Sequence, residues 1–150
     1  MRHTLATVTK FVERRCRSYS AASNMDPTLT MTSNEPGTDP EALERLRRFG
    51  GAKLLGDMIA LFLEAVPQRL AAARRGLTGG DAHAVEHELH ALKSSSAQLG
   101  ALRMHRLSLE GEMLARAGTL DGASEMLDAL EAEEPRVRAW LSAACTAGDE

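Results

Sequence analysis

Between Asp39 and Ala147 one pattern recurs in stretch after stretch: apolar residues stand three and four positions apart, and glycines close each run. That spacing gathers the apolar groups on one stripe of an α-helix, whereas a half-buried strand requires alternation by two. The longest stretch, about Ala52 to Leu77, carries Leu55, Met58, Ile59, Phe62, Val66, Leu70, Ala73 and Leu77 at these steps. After Gly79-Gly80, Asp81 is placed to cap a second long helix with the stripe Val85, Leu89, Leu92, Ser96 and Leu99, and Gly100 ends it. A third, about Leu102 to Ala117, presents Met104, Leu107 and Leu114 before Gly118. A fourth, about Asp121 to Ala144, presents Ala123, Leu127, Leu130, Val137 and Leu141. Ahead of all four, Asp39-Pro40 opens a short helix, Pro40–Phe49, that Gly50-Gly51 terminates. Pro67 and Pro135 fall inside predicted helices, where the missing donor and the bulk of the ring predict kinks.

Only 3% of the residues are aromatic, and alanine, leucine, arginine and glutamate dominate, which favours helix over sheet. Short glycine-containing turns make sequential helices antiparallel neighbours. The expected fold is therefore all-α, an antiparallel up-down-up-down four-helix bundle over residues 39–147 with a short leading N-terminal helix.

Residues 1–38 differ in kind. Their last part, from Ser20 on, is rich in Ser, Thr, Asn and Pro without period, and residues 1–24 hold five basic groups against the single acid Glu13. The expectation is a disordered extension, or one assigned from too early a start, with Met25 or Met31 as the true beginning. The rest of the chain carries a net charge of −7 within the total of −3, and no nucleic-acid partner is expected. Neither a run of about 18 apolar residues nor a secretory h-region is present, so no membrane insertion is expected. Cys16 and Cys145 stand far apart in no metal or redox spacing, which fits a reducing cytoplasm.

The residue that stands out chemically is His90. On a helical wheel the apolar stripe of its helix centres roughly 140° away, so the imidazole faces solvent. Around it on that face fall His83, Glu86, His87, Lys93, Ser94 and Ala97. The stretch His90-Ala91-Leu92-Lys93-Ser94-Ser95-Ser96-Ala97-Gln98-Leu99-Gly100-Ala101 resembles the signature of histidine phosphotransfer domains: histidine, leucine two on, lysine three on, a small triplet and a closing Gly-Ala. Gly50-Gly51, Leu61-Phe62-Leu63, Pro67 and Gly80-Asp81 resemble the same family, so the likeness covers about residues 40–143. It departs in two places. Ser94 stands where the family most often has glycine, and Gly111, ahead of Glu112, stands where a large apolar residue is common.

The resemblance implies a phosphocarrier of two-component phosphorelays, not an enzyme. His90 is then the phosphoacceptor, Lys93 the phosphate-neighbouring lysine, and His87, Ser94 and Ala97 part of the surface on which a partner docks. The implied partners are response-regulator receiver domains and a hybrid sensor histidine kinase, with the chain itself a monomer. No cofactor is expected, Mg2+ being supplied by the receiver. Physical chemistry agrees: a neutral imidazole is a good nucleophile near pH 7, and phosphoryl transfer needs in-line geometry and charge stabilisation that a partner can bring. The chain has no Gly-rich phosphate loop and no acidic cluster at metal spacing, which argues against an autonomous kinase. An exposed lysine beside His90 would offset acquired charge by about 0.5–1 kcal/mol. Two competing readings remain: a helical scaffold module without phosphotransfer, and a metal-binding bundle using His83, His87 and His90.

Overall fold

A computed structural model describes residues 36–147, and the expectation for the first 35 residues lies outside them. The described residues form α1 (Pro40–Thr78), α2 (Ala82–Leu99), α3 (Leu102–Arg116) and α4 (Ala123–Thr146), with no strand among them. Each helix packs on the next and α4 returns to α1, while the backbones of diagonally placed helices stay apart. The result is the expected antiparallel four-helix bundle. Its core is built from the predicted stripes. Leu55, Ile59, Phe62, Val66 and Leu70 of α1 meet Val85, Leu89, Leu92 and Leu99 of α2, Met104 and Leu107 of α3, and Leu127, Leu130, Val137 and Leu141 of α4, all buried.

Helix ends follow the capping chemistry of the sequence. Asp39 caps α1 by accepting from the Glu41 amide at 3.0 Å, with Pro40 in the first turn, and Asp81 caps α2 by accepting from the Ala84 amide at 3.0 Å. The short leading helix ends where the sequence predicts: within α1 the chain passes through Gly51 at φ 78, ψ 176, a kink that separates residues 40–50 from the long helix that follows. Pro67 and Pro135 both lie inside helices whose backbone dihedrals stay helical around them. One reason is visible at Pro67. The carbonyl of Leu63, which a proline four residues on leaves without its helical donor, accepts from Arg138 Nη2 of α4 at 2.9 Å.

Two glycines decide how close α2 and α3 lie. Gly100 ends α2 in the left-handed region at φ 78, letting the Ala101 amide close back on the Ser96 carbonyl at 2.9 Å. The incoming chain is pinned to this corner, with the Asp39 amide on the Gly100 carbonyl at 2.8 Å and the Arg103 amide on the Gly37 carbonyl at 3.0 Å. On α3, a Cβ at Gly111 would lie 2.6 Å from Leu89 Cδ1 and 3.2 Å from Met126 Cγ. The glycine is thus a point of close helix approach, and it draws its neighbour Glu112 against α2.

Replacing Gly100 by alanine would force a Cβ into the left-handed region and onto the Asp39 carbonyl oxygen and the Ala42 side chain. We expect Gly100→Ala to lose about 2 kcal/mol or more of stability, read as a lower urea midpoint at unchanged slope.

Candidate functional site

His90 sits in the middle of α2 on its outward face, its side chain 59% exposed, as the helical wheel predicts. Its ring is not loose. Nδ1 lies 2.8 Å from Oε1 of Glu112, a carboxylate that comes up from α3 with only 1% of its side chain exposed. The same Oε1 accepts from Arg116 Nη2 at 2.6 Å, one turn further along α3, and Arg116 Nε donates to Glu86 of α2 at 2.9 Å. Oε2 of Glu112 lies 2.6 Å from the Lys93 ammonium. That contact is a short ion pair in a dry place, with Lys93 only 16% exposed.

Burial, the largest single influence on Glu112, pushes its carboxyl up. The hydrogen bonds and charges of Lys93 and His90 together outweigh it and hold the group below its ordinary value. Glu112 is therefore a carboxylate at neutral pH and can only accept. The proton in its contact with His90 accordingly resides on Nδ1, and Nε2 is left with a lone pair.

Beneath this layer His105 of α3 is buried at the same helix interface, its Nδ1 3.0 Å from the Lys93 carbonyl. A carbonyl accepts, so Nδ1 of His105 carries the proton as well. Desolvation dominates here and holds the imidazole below its ordinary pKa, against the raising effect of that hydrogen bond.

The structure places the other predicted site residues as follows. His87 is exposed on the outward face of α2, while Ser94 and Ala97, one and two turns beyond His90, are half-buried. The Ser94 hydroxyl folds back onto the His90 carbonyl at 3.0 Å, so it adds little height to the surface. Lys93 differs from expectation. Its side chain is only 16% exposed, drawn under the helix surface by Glu112 rather than standing in solvent beside His90. His83, His87 and His90 are not assembled into a metal site, and among the described residues no group of three or more His, Cys, Asp or Glu is placed to hold a metal ion.

Sequence reading missed Glu112, His105 and Arg116. On α3, His105, Ser108 and Glu112 recur at steps of three and four beside the stripe of Met104, Leu107 and Gly111. A polar stripe running alongside an apolar one was the available signal.

Residues 57–140 match the Hpt domain family, which takes in every residue of this cluster. Among solved structures, histidine-containing phosphotransfer protein B (HptB) from Pseudomonas aeruginosa PAO1 is similar at a TM-score of 0.70 and 26% identity, over 74% of this chain and 96% of that one. No curated protein matches the chain.

The state of His105 has a measurable consequence. Its folded pKa lies below that of the unfolded chain, about 6.5, so the unfolded state takes up a proton first as pH falls. Stability is then lost as the solution is acidified below about pH 7. In His105→Asn, whose amide can still donate to the Lys93 carbonyl, urea unfolding between about pH 7 and pH 5 is expected to show a shallower loss than wild type.

Proposed function

Because the chain belongs to the Hpt domain family, the phosphocarriers of histidine phosphorelays, we propose that His90 is its phosphoacceptor, exchanging a phosphoryl group with the aspartate of response-regulator receiver domains. The observation that carries this reading is the 2.8 Å contact between His90 Nδ1 and the buried Glu112, made by a ring that is otherwise 59% exposed. One nitrogen is turned inward and fixed. The other, Nε2, is presented to a partner with its lone pair available.

The chemistry balances with these groups alone on the carrier's side. Nε2 attacks the phosphorus of an aspartyl phosphate in line with the leaving oxygen; the P–O bond breaks, a P–N bond forms, and the receiver's aspartate leaves as a carboxylate. Nε2 carries no proton, so none has to be removed from the attacking atom. The ring, now substituted at Nε2 and protonated at Nδ1, becomes an imidazolium whose charge faces the Glu112 carboxylate. Lys93 keeps that carboxylate ionised from its far side. Mg2+ and the acidic residues that hold it would come from the receiver, and no cofactor is assigned to this chain.

Docking requires that a receiver reach Nε2 without obstruction. The small half-buried Ser94 and Ala97 leave that approach low, and the exposed His87 lies on the same face. A hybrid sensor histidine kinase carrying its own receiver would be the source or sink of the phosphoryl group.

Two substitutions test this. His90→Gln can still donate to Glu112 and should cost about 1 kcal/mol at most, while labelling by a phosphorylated receiver disappears; label retained in this variant, or found only on serine in wild type, would sink the assignment. In wild type the label should be acid-labile and alkali-stable. Glu112→Gln can present either an oxygen or an amide to Nδ1, so the 15N signature of His90 should pass from one tautomer to a mixture, with phosphoryl acceptance slowed about tenfold.

A further inference from the structure

A phosphoryl group on Nε2 brings about −1.5 to −2 of charge onto a surface that already holds Glu86, one turn before His90, and Glu112 beneath it. Lys93 is not placed to meet that charge. Its ammonium lies on Oε2 of Glu112, whereas His90 is on Oε1, and the side chain is largely buried. Withdrawing it toward the phosphoryl group would strip Oε2 of a buried carboxylate of its cation, which is strongly unfavourable.

Arg116 is placed differently. Its Nη2 shares Oε1 of Glu112 with His90 Nδ1, at 2.6 Å and 2.8 Å, so the guanidinium and the imidazole are immediate neighbours. Its side chain is 61% exposed, and Nη1 takes part in neither of its two carboxylate contacts. A planar guanidinium offers paired donors that suit phosphate oxygens. Glu86, 26% exposed and held by Arg116 Nε at 2.9 Å, is the competing anion that the phosphoryl group would partly replace.

We propose that Arg116 binds the phosphoryl oxygens on His90, in transfer and in the phosphorylated protein, and that Lys93 serves to hold Glu112 instead. This rests on His90 being the phosphoacceptor. It makes Arg116 the group whose loss weakens charge stabilisation at phosphorus without disturbing the tautomer of the nucleophile, because Glu112 keeps Lys93 and His90 as partners.

The test uses phosphoramidate, a small donor that needs no docking surface. Its P–N bond breaks and ammonia leaves with a proton from water as the P–Nε2 bond forms. In Arg116→Gln, labelling of His90 is expected to slow about fivefold, the scale of one exposed charge-assisted contact. The protonation midpoint of the bound phosphoryl group, followed by 31P NMR, should rise, and the 15N signature of protonated Nδ1 should persist. Arg116→Lys should recover part of the rate, and Glu86→Gln, which frees the guanidinium from one carboxylate, should label faster than wild type. An unchanged rate and midpoint in Arg116→Gln would overturn the proposal. So would loss of the Nδ1 signature, which would mean that Arg116 acts by positioning Glu112. Failure of wild type itself to take label on His90 would instead remove the phosphocarrier reading on which this one rests.

Discussion

A carboxylate with 1% of its side chain exposed, held between two helices, is the interaction on which the site depends. Taking such a group out of water costs several kcal/mol, and its partners must supply that much in return. Glu112 has three: the Lys93 ammonium, the Arg116 guanidinium and the Nδ1–H of His90. Well-packed apolar residues would hold the same interface with less risk. The carboxylate is therefore better understood by what it does to His90 than by what it adds to stability. It also explains why α3 carries glycine at position 111, since a side chain there would meet Leu89 and Met126 and push α3, with Glu112, away from α2.

Much of the fold could be read from the chain because helical periodicity and capping are local. The stripes of α2 and α4 became buried faces residue for residue, and Asp39, Asp81 and Gly100 mark the boundaries the sequence predicts. Where reading failed, the cause was a partner distant in sequence. Pro67 leaves the Leu63 carbonyl without a donor, and a guanidinium 75 residues away supplies one. Lys93 looked solvated because its own helix places it near the outward face; only the arrival of α3 draws it inward. His90 was legible as an exposed histidine from one helix alone, but the carboxylate that holds its Nδ1 lies 22 residues later on another.

The second histidine at the interface illustrates the same dependence. His105 is buried and bonded to the carbonyl of Lys93 itself, so the segment of α2 that carries Lys93 is held from α3 at both its backbone and its side chain. A histidine carried on a helix tied down this way keeps its orientation without a loop or lid. Beyond His90, Ser94 bonds within its own helix rather than reaching outward.

A carrier must both accept and release, and on the proposed reading one hydrogen bond serves both directions. Before transfer, the Glu112 carboxylate keeps the proton on Nδ1 and leaves Nε2 nucleophilic. After transfer the same proton stays on Nδ1, so the ring is an imidazolium, and a positively charged ring nitrogen is a better leaving group from phosphorus than a neutral one. Had the site given up that proton on phosphorylation, the P–N bond would have been stabilised and return to an aspartate hindered. On this reading the buried carboxylate fixes the tautomer before transfer and faces the charge of the imidazolium after it. Acceptance and release then use the same Nδ1 proton, and the ring returns to its starting tautomer when the phosphoryl group leaves.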